Sequence, residues 1–244
     1  MNKPASLLLC CLVAASAFAS AQEPSARARA YENYRRPITE PTYGRAKVKA
    51  LIKSIKKKDN EDGDFTSVLP TSKFNSLTLE EQFTYTMIHG ERGLQNCDAM
   101  MPIEGADKMI FAHIPDPFRD DTVWSESQLA FMNAHRPQFI NMLRDTMKLR
   151  HRAGANIKQA IFELKAYELI PDLTSLYIEQ RKDHDILTLL NLLMKEGNYL
   201  PFINSSSYAK LFGDDASWST ALVANRENQD LVISRATDFY KSKT

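Results

Sequence analysis

The stretch "AIFELKAYELIPDLTSLY", residues 160–177, runs an apolar helix end into Ile170-Pro171 and straight out into a second apolar segment. Proline has no amide hydrogen and its ring collides with the preceding turn, so a helix tolerates it only in its first turn. Pro171 therefore marks a helix start. Pro137 lies 34 residues before it and Pro201 lies 30 residues after it, and each of the three is followed two residues on by an apolar side chain: Phe139, Leu173 and Ile203. Setting "FELKAYELIPDLTS" over "LLMKEGNYLPFINS" matches Lys165 with Lys195, Pro171 with Pro201 and Ser175 with Ser205, with apolar residues at 162, 164, 169 and 170 in register. Intervals of this size between helix starts point to stacked α-hairpins.

Helical signals continue on both sides. In "LTLEEQ" Thr78 precedes Glu81 by three residues, the spacing of a capping box, and Leu79, Phe83 and Met87 then recur at four-residue steps. Ser125 of "WSESQ" is a second cap, with Leu129 and Met132 facing inward. "SSSYAKLFG" is a short capped helix ended by Gly213, and Val232, Ala236 and Phe239 share one face of a last helix over 225–241. Residues 45–58, "RAKVKALIKSIKKK", place Val48, Leu51, Ile52 and Ile55 on one stripe among seven Lys and Arg with no acid. Alternation of the strand type appears nowhere at length. The fold class expected is all-α: one helical domain over 77–244, preceded by a basic amphipathic helix and acidic turn over 45–76 and an extended segment over 22–44.

The 160–177 stretch resembles the joint between units in HEAT-like helical repeats, where an apolar helix end meets "xIPxL" and a new helix begins. The resemblance spans about residues 156–212 and rests on repeat length and proline register. It implies a binding scaffold of stacked α-hairpins without catalytic residues. A globular helical bundle starting its helices at proline is the alternative architecture.

The first 22 residues, "MNKPASLLLCCLVAASAFASAQ", join a charged start to an apolar run and a small-x-small end. That pattern is a secretory signal with cleavage expected after Ala21, which makes the mature chain secreted or periplasmic. Leu9 before Cys10 does not fit a lipidation site. Loss of Lys3 leaves 30 basic against 30 acidic residues, so overall charge offers no case for nucleic acid, and none is expected as a partner. No other apolar run reaches the roughly 18–20 residues that span a bilayer. Cys10 and Cys11 leave with the signal, and Cys97 then has no partner within the chain.

Cys97 follows His89 and Glu91 in "HGERGLQNC", the one grouping that suggests a nucleophile with its base. Closeness in sequence does not place an imidazole on a sulfur, and the negative end of a helix dipole raises a thiol's pKa. A buried structural thiol is the expectation favoured here. "DNEDGD" at 59–64 fails as a calcium loop: with Gly63 sixth, Lys58 falls first and Leu69 twelfth. His113, His135 and His184 lack ligand spacing, so neither a metal nor a cofactor is expected. Arg144, Lys148, Arg150, His151 and Arg152 suit a helix C-terminus, and Asp183 in "RKDHDIL" suits an N-cap. The binding candidates are Tyr199 and Tyr208 beside the last proline turn, and Lys49, Lys53, Lys56 and Lys57 of the basic helix. The function expected is that of an exported helical binding or scaffold protein whose partner is another protein or an envelope polymer. Its rival is an envelope hydrolase or thiol enzyme around His89 and Cys97, drawing on Asp98, His113 and Asp116.

Overall fold

The structure, a computed structural model, describes residues 23–59, 64–94, 101–119 and 121–243. Part of the segment expected to be extended is helical: α1 spans Ala26–Arg35, with the Ser25 side chain accepting from Ala28 N. Its sequence, "ARARAYENYR", has no apolar stripe, so periodicity could not reveal it. Ala28 and Tyr31 are nevertheless buried, Tyr31 beside Ala106 and Phe111, and distant polar contacts hold the helix as well. Arg27 pairs with Asp107, Ser25 Oγ donates to Glu104 at 2.8 Å, and Arg35 reaches Asp185.

The basic helix α2 (Arg45–Lys53) stops earlier than expected, where Ser54 Oγ turns back to bond Leu51 O. Lys56 and Lys57 therefore lie beyond it, ahead of a hairpin of β1 (Lys58–Asp59) with β2 (Phe65–Thr66). On a continued helix Lys56 and Lys57 would stand three and four residues from Lys53, and like charges at that spacing repel one another. Nor is α2 a free arm. Val48 is buried with Leu69, Leu77 and Tyr85, so α2 packs directly on α4 (Leu79–Ile88), with the short α3 (Thr71–Asn75) between them in the chain. The capping box of Thr78 and Glu81 is present, and Phe83 and Met87 are buried.

Strands do occur, in pieces of two or three residues that are too short to show alternation. β3 (Arg92–Gly93) joins β2 to β5 (Thr122–Val123) in an antiparallel sheet, and β4 (Met109–Phe111) is met by a strand from the far end of the chain. Helices follow: α5 (Glu126–Ala134) with Ser125 and Gln128 in a second capping box, α6 (Arg136–Arg150), α7 (Ala155–Glu163), α8 (Ile170–Gln180), α9 (His184–Glu196), α10 (Leu200–Ile203) and α11 (Ser206–Phe212). The partner of β4 is β6 (Ala221–Val223), and α12 (Arg226–Lys243) closes the chain with Val232, Ala236 and Phe239 buried. The fold is one all-α domain with little sheet.

Pro137, Pro171 and Pro201 each sit in the first turn of a helix. The 30-residue interval ends in the four-residue α10, so the two proline-started units differ in form. Glycine is scarce, and His151, Lys165, Arg181 and Asn198 take the left-handed conformation past helix ends that glycine usually fills. The glycine at 154 has a steric reason: a Cβ there would lie 2.4 Å from Thr39 N, where the linker after α1 crosses the start of α7.

The architecture centres on α9. Every residue from His184 to Met194 is buried, and α7, α8, α10, α12 and β4 pack around it. A helix enclosed on all sides reads apolar nearly all round, and "ILTLLNLLM" does apart from Thr188 and Asn191. Each of its buried leucines contributes about 2 kcal/mol by transfer from water.

Candidate functional site

The N-terminus of α9 carries the densest charge in the interior. Asp183, expected to cap the helix, makes no capping hydrogen bond. Its carboxylate turns to Lys158, at 2.9 and 3.1 Å. The Lys158 ammonium also reaches Asp185 Oδ2 at 3.3 Å, and its side chain has no exposure to water. Asp185 takes a two-pronged contact from Arg35 of α1, at 3.0 and 2.5 Å. A charge this deep is expensive unless paired, which explains why Asp183 forgoes the cap. Burial alone would raise Asp185, but Lys158 and Arg35 beside it hold its carboxyl below the usual carboxylate range. Asp183 is pushed up by burial, against the pull of Lys158. Between them, His184 accepts from the Tyr177 hydroxyl through Nδ1 and donates through Nε2 to Asp107 O, at 3.0 and 3.1 Å. Burial lowers its pKa, in keeping with that neutral tautomer. The constellation is paired throughout and almost wholly buried; it ties α1, α7 and α9 together rather than offering a reacting group.

The 89–97 grouping is engaged in a similar way. His89 Nε2 donates to Ser67 O at 2.6 Å. Glu91 is buried, and accepts from Tyr85 Oη at 2.8 Å, from Ser125 Oγ at 2.5 Å and from Ser127 Oγ at 3.4 Å. Burial, then the Glu91 charge, raises the Tyr85 phenol and keeps it a donor. These contacts join the end of α4 to the start of α5. Cys97 and Asp98 lie outside the described residues.

Among the described residues, two concavities bear on ligand binding. The larger lies between α6 and α8 and encloses about 420 Å³, with Met147, Pro171 and Leu176 as its apolar floor and Lys148, Asp172 and Glu179 at its rim. Arg144 holds Asp172 at 3.0 Å from the same helix, so the basic cluster expected merely to answer the dipole of α6 is partly used in ion pairing. Arg152 donates to Tyr34 O and Arg150 to Glu40 O, tethering the N-terminal linker. The smaller hollow lies between α1 and the segment after β4, where His113, Asp116, Arg36 and Trp218 meet. Burial, reinforced by Arg35, pushes the His113 imidazole down to about 4, with Asp185 opposing.

An unfolded histidine titrates near 6.5, so between about pH 6.5 and 4 the unfolded chain binds a proton that folded His113 refuses. Stability is therefore full above that window and is lost as pH falls through it. The urea midpoint should drop between pH 7 and 4.5, and less steeply in His113→Gln. A His113 resonance, assigned by its loss in His113→Gln, that titrates near pH 6.5 in the folded protein would refute this.

The surface candidates are accounted for as follows. Lys49 pairs with Glu40 at 2.7 Å and Lys47 with Glu81 at 2.7 Å, so acids beyond the basic segment neutralise part of it. Lys57 Nζ lies 4.1 Å from the Phe65 ring centre, while Lys53 and Lys56 are exposed. Tyr199 packs on Phe239, with ring centres 5.3 Å apart, and Tyr208 on Phe202 at 5.5 Å; both are partly buried. Among the described residues no three His, Cys, Asp or Glu side chains gather as a metal site would need, and no helix is long and apolar enough to cross a membrane.

Sequence reasoning missed Lys158, Arg35 and the groove. One signal was present: two acids flanking His184 exceed what a single cap requires. Lys158 sat in "ANIKQAIF" as an ordinary polar position, and nothing local marks it as buried. Comparison with protein-family models, with curated proteins and with solved structures gives no match to this chain.

Proposed function

We propose that this protein is a binding protein that seats an apolar side chain of a partner polypeptide in the groove between α6 and α8. The observation that carries the reading is the groove itself. Its volume of about 420 Å³ is in the range of ligand sites, and an apolar floor with charges of both signs at the rim suits an anchored peptide. Leu149 and Ile178, exposed on the two helices that form it, add apolar surface on the same elements. The rival reading as a hydrolase finds less support, because His89 and Glu91 are committed to Ser67, Tyr85 and Ser125.

Ser175 is exposed at the groove, so Ser175→Phe fills it without disturbing the core. Twelve-residue peptides selected by display on the full chain should lose at least about tenfold in affinity for Ser175→Phe, the loss expected when an anchor is shut out. Peptides that bind the variant and the parent equally would place recognition elsewhere.

A further inference from the structure

β4 and β6 run antiparallel with Phe111 opposite Ala221. Continuing that register two residues beyond the ladder brings His113 level with Ser219, so the turn before β6 closes over the imidazole. Ser217 N donates to Thr220 Oγ1 at 2.8 Å and Thr220 N to Ser217 O at 3.0 Å, which locks the turn. The locked turn lays Trp218 flat on His113, with ring centres 3.5 Å apart and planes 17° from parallel. His113 in turn lies 5.4 Å from Phe111, whose ring carries Arg35 at 5.5 Å, so the stack is anchored to the interior.

Trp218 is nevertheless 56% exposed. One face of the indole is taken by His113 and the other is turned to water. A large flat side chain whose rotamer is already fixed gives up little freedom on binding, which is the condition for a preorganised contact. Among the described residues the hollow beside it holds Asp116, Glu32, Arg35 and Arg36, two carboxylates against two guanidiniums, together with apolar side chains such as Ile103 and Ile114. Glu32 bridges both arginines, while the Asp116 carboxylate is exposed. Balanced charge gives no preference for an ion of either sign. An indole face also attracts cations, and a cation is the competing ligand that the test below separates. The lining complements a neutral ring with an apolar face and hydroxyls at its edge, since each hydroxyl both donates and accepts. Asp116 accepts from such hydroxyls, and a neutral imidazole offers one donor and one acceptor.

We propose that Trp218, with Asp116 and His113 beside it, forms a binding site for a neutral saccharide ring, whose carbon-bound face lies on the indole and whose hydroxyls meet the hollow. The site is separate from the groove between α6 and α8 and stands without it.

The test is saturation-transfer NMR on the full chain with three neutral probes: cellotetraose, maltotetraose and the β-1,4-linked tetramer of N-acetylglucosamine. At least one should bind with a Kd of about 1 mM or tighter. Trp218→Ala should weaken it by at least about tenfold and Asp116→Asn by about threefold, both with unchanged circular dichroism. Trp124 is buried, so the emission change on sugar addition should vanish with Trp218→Phe. Ser175→Phe should leave the saccharide Kd unchanged, which separates this site from the peptide groove. The proposal is overturned if none of the probes saturates below about 20 mM, if Trp218→Ala binds as well as the parent, or if tetramethylammonium quenches Trp218 while no saccharide does.

Discussion

Lys158→Met is expected to lower stability by about 3–5 kcal/mol, the cost of leaving a buried charge without its partner. The ammonium is the shared counter-ion of Asp183 and Asp185, and its side chain is wholly out of water. Methionine fills nearly the same volume, so the loss reports charge rather than a cavity. The urea midpoint should fall with the slope unchanged, the mark of altered stability without altered compactness. Adding Asp183→Asn should return part of the loss, because a neutral amide no longer needs the cation; strictly additive losses would refute the coupling. The acid limb is affected as well. Asp185 is held below its unfolded value, so its contribution is complete above about pH 4 and is lost as pH falls further. Lys158→Met removes one of the two cations that hold this carboxyl down, so the acid loss that Asp185 contributes should be smaller in the variant.

Asn156→Ala is expected to cost about 3 kcal/mol, since buried backbone groups left unpaired cost about 1–3 kcal/mol each. The Asn156 side chain is fully buried at the start of α7. Its Oδ1 accepts from Thr39 N at 2.8 Å, and its Nδ2 donates to Thr39 O at 3.0 Å and to Met87 O at 2.6 Å. One amide thereby mimics a strand partner for the linker after α1 and closes off the end of α4. Hydrogen exchange gives the second readout. The Thr39 amide should lose its protection while amides in α9 keep theirs relative to the new global stability. Unchanged exchange at Thr39 would show that the linker is held by other contacts.

What could be read from the sequence was written within one or two turns of chain. Thr78, Ser125 and Ser205 cap the helices expected of them, because a cap and its partner lie three residues apart. The prolines mark helix starts for an equally local reason, and Val232, Ala236 and Phe239 are buried as their spacing requires. The misses share the opposite property. α1 has polar composition and is fixed by Arg35 reaching a residue 150 positions away. Asp183 looks like a cap until Lys158 arrives from another helix. Strands of two residues have no period to detect. Of the candidate sites, the groove was hidden because Met147, Pro171 and Leu176 meet only through packing of α6 on its neighbours, and Trp218 drew no notice because nothing near it in sequence is His113.

The clasp between Arg35 and Asp185 also sets an order in time. A ribosome adding about 5–20 residues per second needs roughly 8–30 s to go from one to the other. Throughout that interval α1 has been made but its anchor has not, and a ten-residue helix without an apolar stripe is not stable alone. α1, made long before Asp185, is thus among the last helices to settle, and it stays without its anchor until Asp185 has emerged.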